Sequence, residues 1–178
     1  MELFKALKTR RSVRLYSDKE IELSELNSII EAATWAPTAG NAQPWFFIIV
    51  TKHQGLEDIS NFSPGIISKP KAAIVACIDI SRINKEDITN EDITVSIIDL
   101  AMACENIILA ALDYNLGTCP VRSFNRVAIS ELLELPVNIV PQLIITIGYP
   151  KNQPKAPKKL DFNQVINYER YGVKSCER

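Results

Sequence analysis

Apolar residues along the chain change repeatedly between helical and strand-like spacing, which predicts interleaved helices and strands. Apolar positions 3, 4 and 7 suit a short helix, and positions 26, 29, 30 and 33 suit a longer one. We expect Ser24 to cap the second helix and Pro37 to stop it. Three apolar runs, 45–50, 72–78 and 142–147, have the character of strands, so the fold class is α/β or α+β.

The most hydrophobic segment, residues 92–114, is apolar on nearly every face of a helix. Such a helix must be covered on all sides, either by its own domain or by another subunit, and a dimer is a natural way to do this in a short chain. Asn115 and Gly117 suit the end of this helix, and a further short helix is expected from about Val127 to Leu135, with Asn125 as its cap. Residues 54–70 are expected to be irregular or partly helical.

Length and charge exclude several classes of protein. The 178 residues suit a single domain, and 20 Lys and Arg balance 21 Asp and Glu, which argues against nucleic-acid or membrane-surface binding. Residues 32–51 are uncharged for long enough to cross a bilayer, but prolines and polar residues interrupt them. Neither a G-x-G-x-x-G after a strand nor a P-loop motif is present.

The cysteine and histidine content argues against disulfide, zinc and triad chemistry. Cys77, Cys104, Cys119 and Cys176 include no C-x-x-C pair, so we expect buried reduced thiols in a cytoplasmic protein. His53 is the one histidine and has no metal-ligand pattern around it. No secretory signal is visible at the N-terminus.

The stretch Arg10-Arg11-Ser12-Val13-Arg14 concentrates three guanidinium groups and a hydroxyl in five residues. The planar Arg fork suits two-point binding of phosphate or carboxylate oxygens, so this is a candidate anion site. Taken alone, it is more typical of a solvated basic patch at a helix end. A second basic segment, residues 151–159, which we call the basic tail, carries four lysines and no acid.

Five stretches in order resemble the nitroreductase family of dimeric flavin enzymes. They are R-R-S-V-R at 10–14, A-P-T-A-G-N-A-Q-P-W at 36–45, L-G-T-C-P-V at 116–121, I-G-Y-P at 147–150 and Y-E-R-Y-G at 168–172. The resemblance implies an α+β fold: a mostly antiparallel central sheet flanked by helices, in an intertwined homodimer with a long buried central helix. It also implies FMN held noncovalently at the dimer interface.

The family positions that hold the FMN phosphate and ribityl chain match Arg10, Ser12 and Arg14, with Arg11 contributing partly through its backbone. Lys159 falls where the family usually has a phosphate-binding Arg, and Lys158 is the alternative. Lys keeps the charge of Arg but loses its two-point fork. A flexible, solvated Lys- and Pro-rich tail remains the competing interpretation of both lysines.

Two further segments match positions around the flavin ring. The 37–43 loop would reach the ring from the partner subunit, through Pro37, Thr38, Ala39, Asn41 and Gln43. The competing interpretation is that the Asn41 and Gln43 side chains satisfy only local backbone groups. Pro120, Val121, Arg122 and Ser123 match the segment whose amides lie beside flavin N5. Many relatives have Gly or an acid at position 122, so Arg122 would raise the flavin potential, favour anionic substrates or point away.

The resemblance implies ping-pong hydride transfer from NADH or NADPH to flavin N5 and then to a nitroaromatic, quinone or other small oxidised acceptor. The cofactor carries this chemistry, so no catalytic side chain is expected. Reductive dehalogenation, flavin breakdown and noncatalytic FMN storage remain alternatives, as does an interaction protein that uses its apolar helix only to dimerise.

Overall fold

The computed structural model describes residues 2–83 and 87–175. Its α-helices are α1 (Leu3–Thr9), α2 (Leu23–Thr34), α3 (His53–Asn61), α4 (Asn90–Ala110), α5 (Arg126–Leu132) and α6 (Phe162–Val165). Its strands are β1 (Trp45–Val50), β2 (Ala72–Asp79), β3 (Gly117–Val121) and β4 (Ile139–Gly148). Cys176 lies outside the described residues.

The strands form one antiparallel sheet in the order β1-β2-β4-β3. Every residue of β2 is buried, and its side chains alternate between two apolar layers. Ile74 and Ile78 face the layer formed with α2 and α4, whereas Val75 and Cys77 face the layer formed with α3 and α5. The predicted sheet flanked by helices is therefore confirmed.

Helix α4 is the long central helix that the apolar pattern predicts. Thr89 and Asp92 form its capping box, and the predicted left-handed residue Asn115 follows its 3₁₀ continuation, with φ 57°. Although residues 90–114 are long and apolar enough to span a bilayer, α4 packs against α2 and the sheet with Leu100 and Ile107 in the core. Its hydrophobic character is therefore that of a core helix.

Two local expectations were wrong. Glu22, and not Ser24, caps α2, because its side chain forms a reciprocal capping box with Glu25 while Ser24 lies inside the first turn. Helix α2 also ends at Thr34, before Pro37 is reached. The expectation that residues 54–70 are irregular or partly helical is confirmed, since α3 covers their beginning. The expected cap Asn125 is confirmed, since its side chain accepts a hydrogen bond from the Ala128 amide at 3.1 Å.

Strand β3 was not anticipated, because its sequence contains Pro120. The strand lies at the edge of the sheet and pairs along its length with β4 alone, where a missing proline N–H is tolerated. Cys77, Cys104 and Cys119 are buried free thiols, as expected. Burial raises the pKa of both Cys77 and Cys104 to about 12.

Candidate functional site

The arginine-rich stretch follows α1 and lies along the edge of β3. Ser12 forms a bridge to Thr118, and the Val13 amide donates to the Thr118 carbonyl at 2.9 Å. Gly117 permits this approach, because a Cβ there would lie 2.6 Å from the Val13 side chain. The sheet thereby fixes the backbone from which Arg10 to Arg14 project.

Tyr16 fastens the other end of this stretch to β4. Its hydroxyl donates to the Val13 carbonyl at 2.7 Å and shares a hydrogen bond with Thr146 Oγ1 at 2.7 Å. Burial raises the pKa of Tyr16 above its ordinary value, so the hydroxyl stays protonated and able to donate. Gly148 leaves room for the tyrosine ring, since a Cβ there would lie 2.6 Å from it.

A groove of about 700 Å³ opens between this stretch and the basic tail. It is lined by Leu7, Lys8, Arg10, Arg11, Ser12, Arg14, Pro154, Lys155, Ala156, Pro157 and Lys159. We call it the cationic groove. The structure thus brings together all four predicted residues of the arginine-rich stretch and, of the two candidate lysines, Lys159 but not Lys158.

The cations of the groove differ in how they are held. Arg10 Nε lies 3.5 Å from Glu105 Oε1 on α4, and Arg11 Nη1 donates to the Lys8 carbonyl at 2.8 Å, closing the end of α1. Within the described residues, no acid pairs with Arg14, Lys155 or Lys159.

Several cations and one hydroxyl around an open groove fit a dianionic phosphate group. Charge-assisted hydrogen bonds from Arg and Lys to phosphate are roughly twice as strong as neutral ones, and the arginine forks can bind two oxygens each. Arg10 already has one acidic partner, so Arg14 and the two tail lysines supply most of the uncompensated charge. The chemistry of this donor set fits the phosphate of FMN.

The 37–43 loop has a fixed and unusual backbone. Gly40, Asn41 and Gln43 all have positive φ, at 56°, 57° and 49°. The Ala39 amide donates to Asp99 Oδ2 of α4 at 3.1 Å, and Arg82 Nη1 donates to the Gln43 carbonyl at 3.1 Å. The side chains of Asp99 and Arg82, which lie outside the loop, therefore hold its backbone conformation.

Some polar side chains of this loop form hydrogen bonds within the loop, whereas another is left for a ligand or a partner. Thr38 Oγ1 accepts from the Gln43 amide at 3.2 Å, and Gln43 Nε2 donates to the Asn41 carbonyl at 3.3 Å. Gln43 thus has the local backbone role that sequence alone left open. The exposed Asn41 side chain forms no hydrogen bond within the described chain, and Pro37 and Ala39 are exposed beside it. None of these residues lines the cationic groove of the same chain.

The 120–123 segment, which contains the end of β3, lies beside the loop that follows α3. Pro120 is exposed and Val121 is buried, while the Ser123 carbonyl accepts from the Gly65 amide at 3.3 Å. Ser68 of this neighbouring loop donates its hydroxyl to the Arg14 carbonyl. Arg122 Nη1 donates to the Gln142 carbonyl at 2.7 Å, so the guanidinium is directed at β4.

Comparison with known proteins agrees with this geometry. The sequence matches the Nitroreductase family over residues 7–75 and 67–149. The chain belongs to the nitroreductase family. It is 38% identical over 158 residues to a candidate NADH dehydrogenase/NAD(P)H nitroreductase of Archaeoglobus fulgidus, covering 85% of this chain and 87% of the relative.

Two further members of the nitroreductase family are similar over almost the whole chain. The FMN reductase [NAD(P)H] of Bacillus subtilis is 30% identical over 185 residues, covering 96% of this chain and 74% of that protein. The solved structure of an FMN-dependent nitroreductase from Clostridium difficile has a TM-score of 0.82 and 28% identity, covering 95% of this chain and all of the other.

Sequence reasoning missed two residues of the candidate site. Lys155 lines the cationic groove, but nothing in the sequence distinguished it from the other tail lysines as a groove residue. Asp99 was overlooked as well, although an acid in the middle of an apolar helix is a signal of a buried polar contact. The lone histidine, His53, is exposed and lies 3.6 Å from Glu57, at a different surface groove.

Proposed function

We propose that the protein is a homodimeric, FMN-dependent NAD(P)H oxidoreductase whose two cofactor sites are each built by both subunits. The cationic groove is the observation that carries this proposal, since it gathers Arg10, Arg14 and Lys159 at positions that the family resemblance assigns to the phosphate. Similarity to an FMN reductase and an FMN-dependent nitroreductase supports the cofactor and the class of enzyme. Residues 1–178 would form one domain.

The groove binds the phosphate end of the cofactor. Arg10, Arg14, Lys155 and Lys159 contact its oxygens, and Ser12 adds a neutral donor. Arg11 donates to the Lys8 and Arg10 carbonyls at the end of α1 and thereby orients the backbone of the arginine-rich stretch. The contact from Arg10 to Glu105 keeps the first guanidinium beside α4.

With FMN bound, amides of the 120–123 segment would donate along one edge of the flavin ring. The exposed Asn41 amide of the partner's 37–43 loop would reach the other edge. Gln43 supports the loop through its bond to the Asn41 carbonyl. The loop of the same chain does not line the groove, and this supports its use by a second copy.

Exposed apolar surface supports the dimer. Phe4 of α1 is 74% exposed, and on α4 Ile98 is 55% and Met102 37% exposed. Ile98, Met102 and Glu105 follow one face of α4, and the Arg10–Glu105 pair brings the end of α1 beside that face. Large apolar side chains grouped in this way mark an interaction surface.

When bound, FMN supplies hydride acceptance from NADH or NADPH and onward transfer to a small oxidised acceptor such as a nitroaromatic or quinone. The protein holds the phosphate, orients the ring and leaves one face open to both reactants in turn. No side chain of the site is required to form a covalent intermediate. The buried free thiols suit a reducing compartment such as the cytoplasm.

Purified protein loaded with FMN tests this proposal. We expect flavin absorbance near about 450 nm that stays with the protein on gel filtration. We also expect oxidation of NADH or NADPH that accelerates on adding a quinone or nitroaromatic. FMN binding without such turnover would favour a storage protein, and failure to bind FMN would contradict the proposal.

A further inference from the structure

Two arginine side chains converge on one buried amide at the end of β3. Arg122 follows the strand directly, and Arg126 is the first residue of α5. Arg122 Nη1 and Arg126 Nη2 each lie 3.3 Å from Gln142 Oε1, and Arg122 also donates to the Gln142 carbonyl at 2.7 Å. Since Gln142 is only 4% exposed, a fixed neutral acceptor holds the two guanidinium groups side by side.

Within residues 2–83 and 87–175, this pair has no acidic partner. Arg10 and Arg82 pair with Glu105 and Asp79, whereas in the part of the chain that is described no acid lies within ion-pair distance of Arg122 or Arg126. Two cations at one neutral oxygen repel each other, and the amide cannot compensate their charge. Both arginines are exposed, so their remaining N–H groups are accessible to a ligand.

We propose that Arg122 and Arg126, positioned by Gln142, bind an anionic oxygen group of the small molecule that reacts at the flavin. This inference rests on the proposed function, which assigns the 120–123 segment to the redox edge of the ring. A carboxylate or phosphate would accept from both guanidinium forks and offset their repulsion. The anion belongs either to the electron acceptor or to the 2′-phosphate of NADPH.

Paired substrates that differ in one anionic group distinguish these two sources. The acceptor ratio is kcat/KM for 4-nitrobenzoate divided by kcat/KM for 4-nitrobenzamide. The donor ratio is kcat/KM for NADPH divided by kcat/KM for NADH. The variants are Arg126→Gln, which removes one fork, and Gln142→Glu, which gives both arginines an internal anion. Lys52→Gln is the matched control, because it removes one exposed charge that has no partner in the described chain.

We expect one of the two ratios to fall about tenfold in both variants and to stay unchanged in the control, because each charge-assisted hydrogen bond contributes a factor of that order. A fall in the acceptor ratio assigns the anion to the acceptor, and a fall in the donor ratio assigns it to NADPH. Neither ratio changing in Arg126→Gln would overturn the proposal. Arg126 is exposed, so this variant remains informative if Gln142→Glu does not fold.

Binding without turnover separates this inference from the proposed function. Titration calorimetry of the FMN-loaded protein with 4-nitrobenzoate and with NADP⁺ should show about tenfold weaker binding of one of them in Arg126→Gln. This result would support the anion site even if no NAD(P)H oxidation were found. Equal affinity of wild type and variant for both ligands would contradict the site, whatever the activity of the enzyme.

Discussion

The cationic groove and the 37–43 loop are both matched to the flavin by the family resemblance, yet the structure completes only one of them. Arg10, Arg14 and Lys159 line the groove within a single chain. The loop is equally well held, by Asp99 and Arg82, but presents Asn41 to solvent away from its own groove. Within one chain the loop does not line the groove, and this is why we propose that the two belong to cofactor sites shared between subunits.

The largest effect on FMN binding should come from removing two of the arginines that line the groove, Arg10 and Arg14. In the double variant Arg10→Ala, Arg14→Ala we expect FMN affinity to fall at least about 100-fold, because each charge-assisted bond contributes roughly 1.5–3 kcal/mol. The measurement is fluorescence titration of the apoprotein with FMN. Riboflavin, which lacks the phosphate, is the matched ligand, and its affinity should change little; an equal loss for both ligands would contradict the phosphate assignment.

A change at Gly117 tests whether the sheet positions the stretch. In Gly117→Ala the new Cβ would lie 2.6 Å from Val13, so the stretch must move away from β3. Overpacking of this kind costs about 1–3 kcal/mol, and we expect a loss of that size in the free energy of unfolding, measured with denaturant. The FMN affinity should fall with it. Wild-type affinity in a destabilised variant would show that β3 does not position the arginines.

The ionisation of Asp79 should make the stability of the region that holds the 37–43 loop depend on pH. Burial alone would raise the pKa of Asp79, but hydrogen bonds from Ser81 and Asn138, together with the charge of Arg82, hold it below its ordinary value. Arg82 in turn donates to the Gln43 carbonyl. A lowered pKa means that ionised Asp79 stabilises the fold fully above the unfolded-state pKa of about 3.9, and that this contribution is lost as the pH falls through the lowered value.

We therefore expect Asp79→Asn to lower the free energy of unfolding by about 1–2 kcal/mol at pH 7. The difference from wild type should shrink as denaturation is repeated at decreasing pH toward 3. A difference that stays constant with pH would show that the charge of Asp79 does not contribute to stability.

The smallest expected effect is a difference in FMN affinity between substitutions of two neighbouring lysines, Lys158 and Lys159. Lys159 lines the cationic groove and Lys158 does not, although both are exposed. We expect Lys159→Gln to weaken FMN binding about tenfold, since one charged contact is lost, and Lys158→Gln to leave it nearly unchanged. Equal effects of the two substitutions on the FMN titration would mean that the tail acts only as diffuse positive charge.

The sequence predicted the fold class and the arginine-rich stretch because both depend on local patterns. Alternating apolar runs define the strands at 45–50 and 72–79, and ordered motifs identify the family. Strand β3 was missed because Pro120 argues against a strand unless its edge position is known. Which tail lysine faces the groove was equally out of reach, since four similar side chains in an irregular segment carry no periodicity.

A mixed dimer tests most directly whether the two half-sites come from different subunits. One chain carries Arg10→Ala, Arg14→Ala and the other Asn41→Ala, Gln43→Ala, and a different affinity tag on each allows heterodimers to be purified. If each site combines one chain's groove with its partner's loop, one site of every heterodimer is intact, and half of the sites should bind FMN with wild-type affinity. If groove and loop of the same chain form the site, every site carries a defect and none should bind with wild-type affinity.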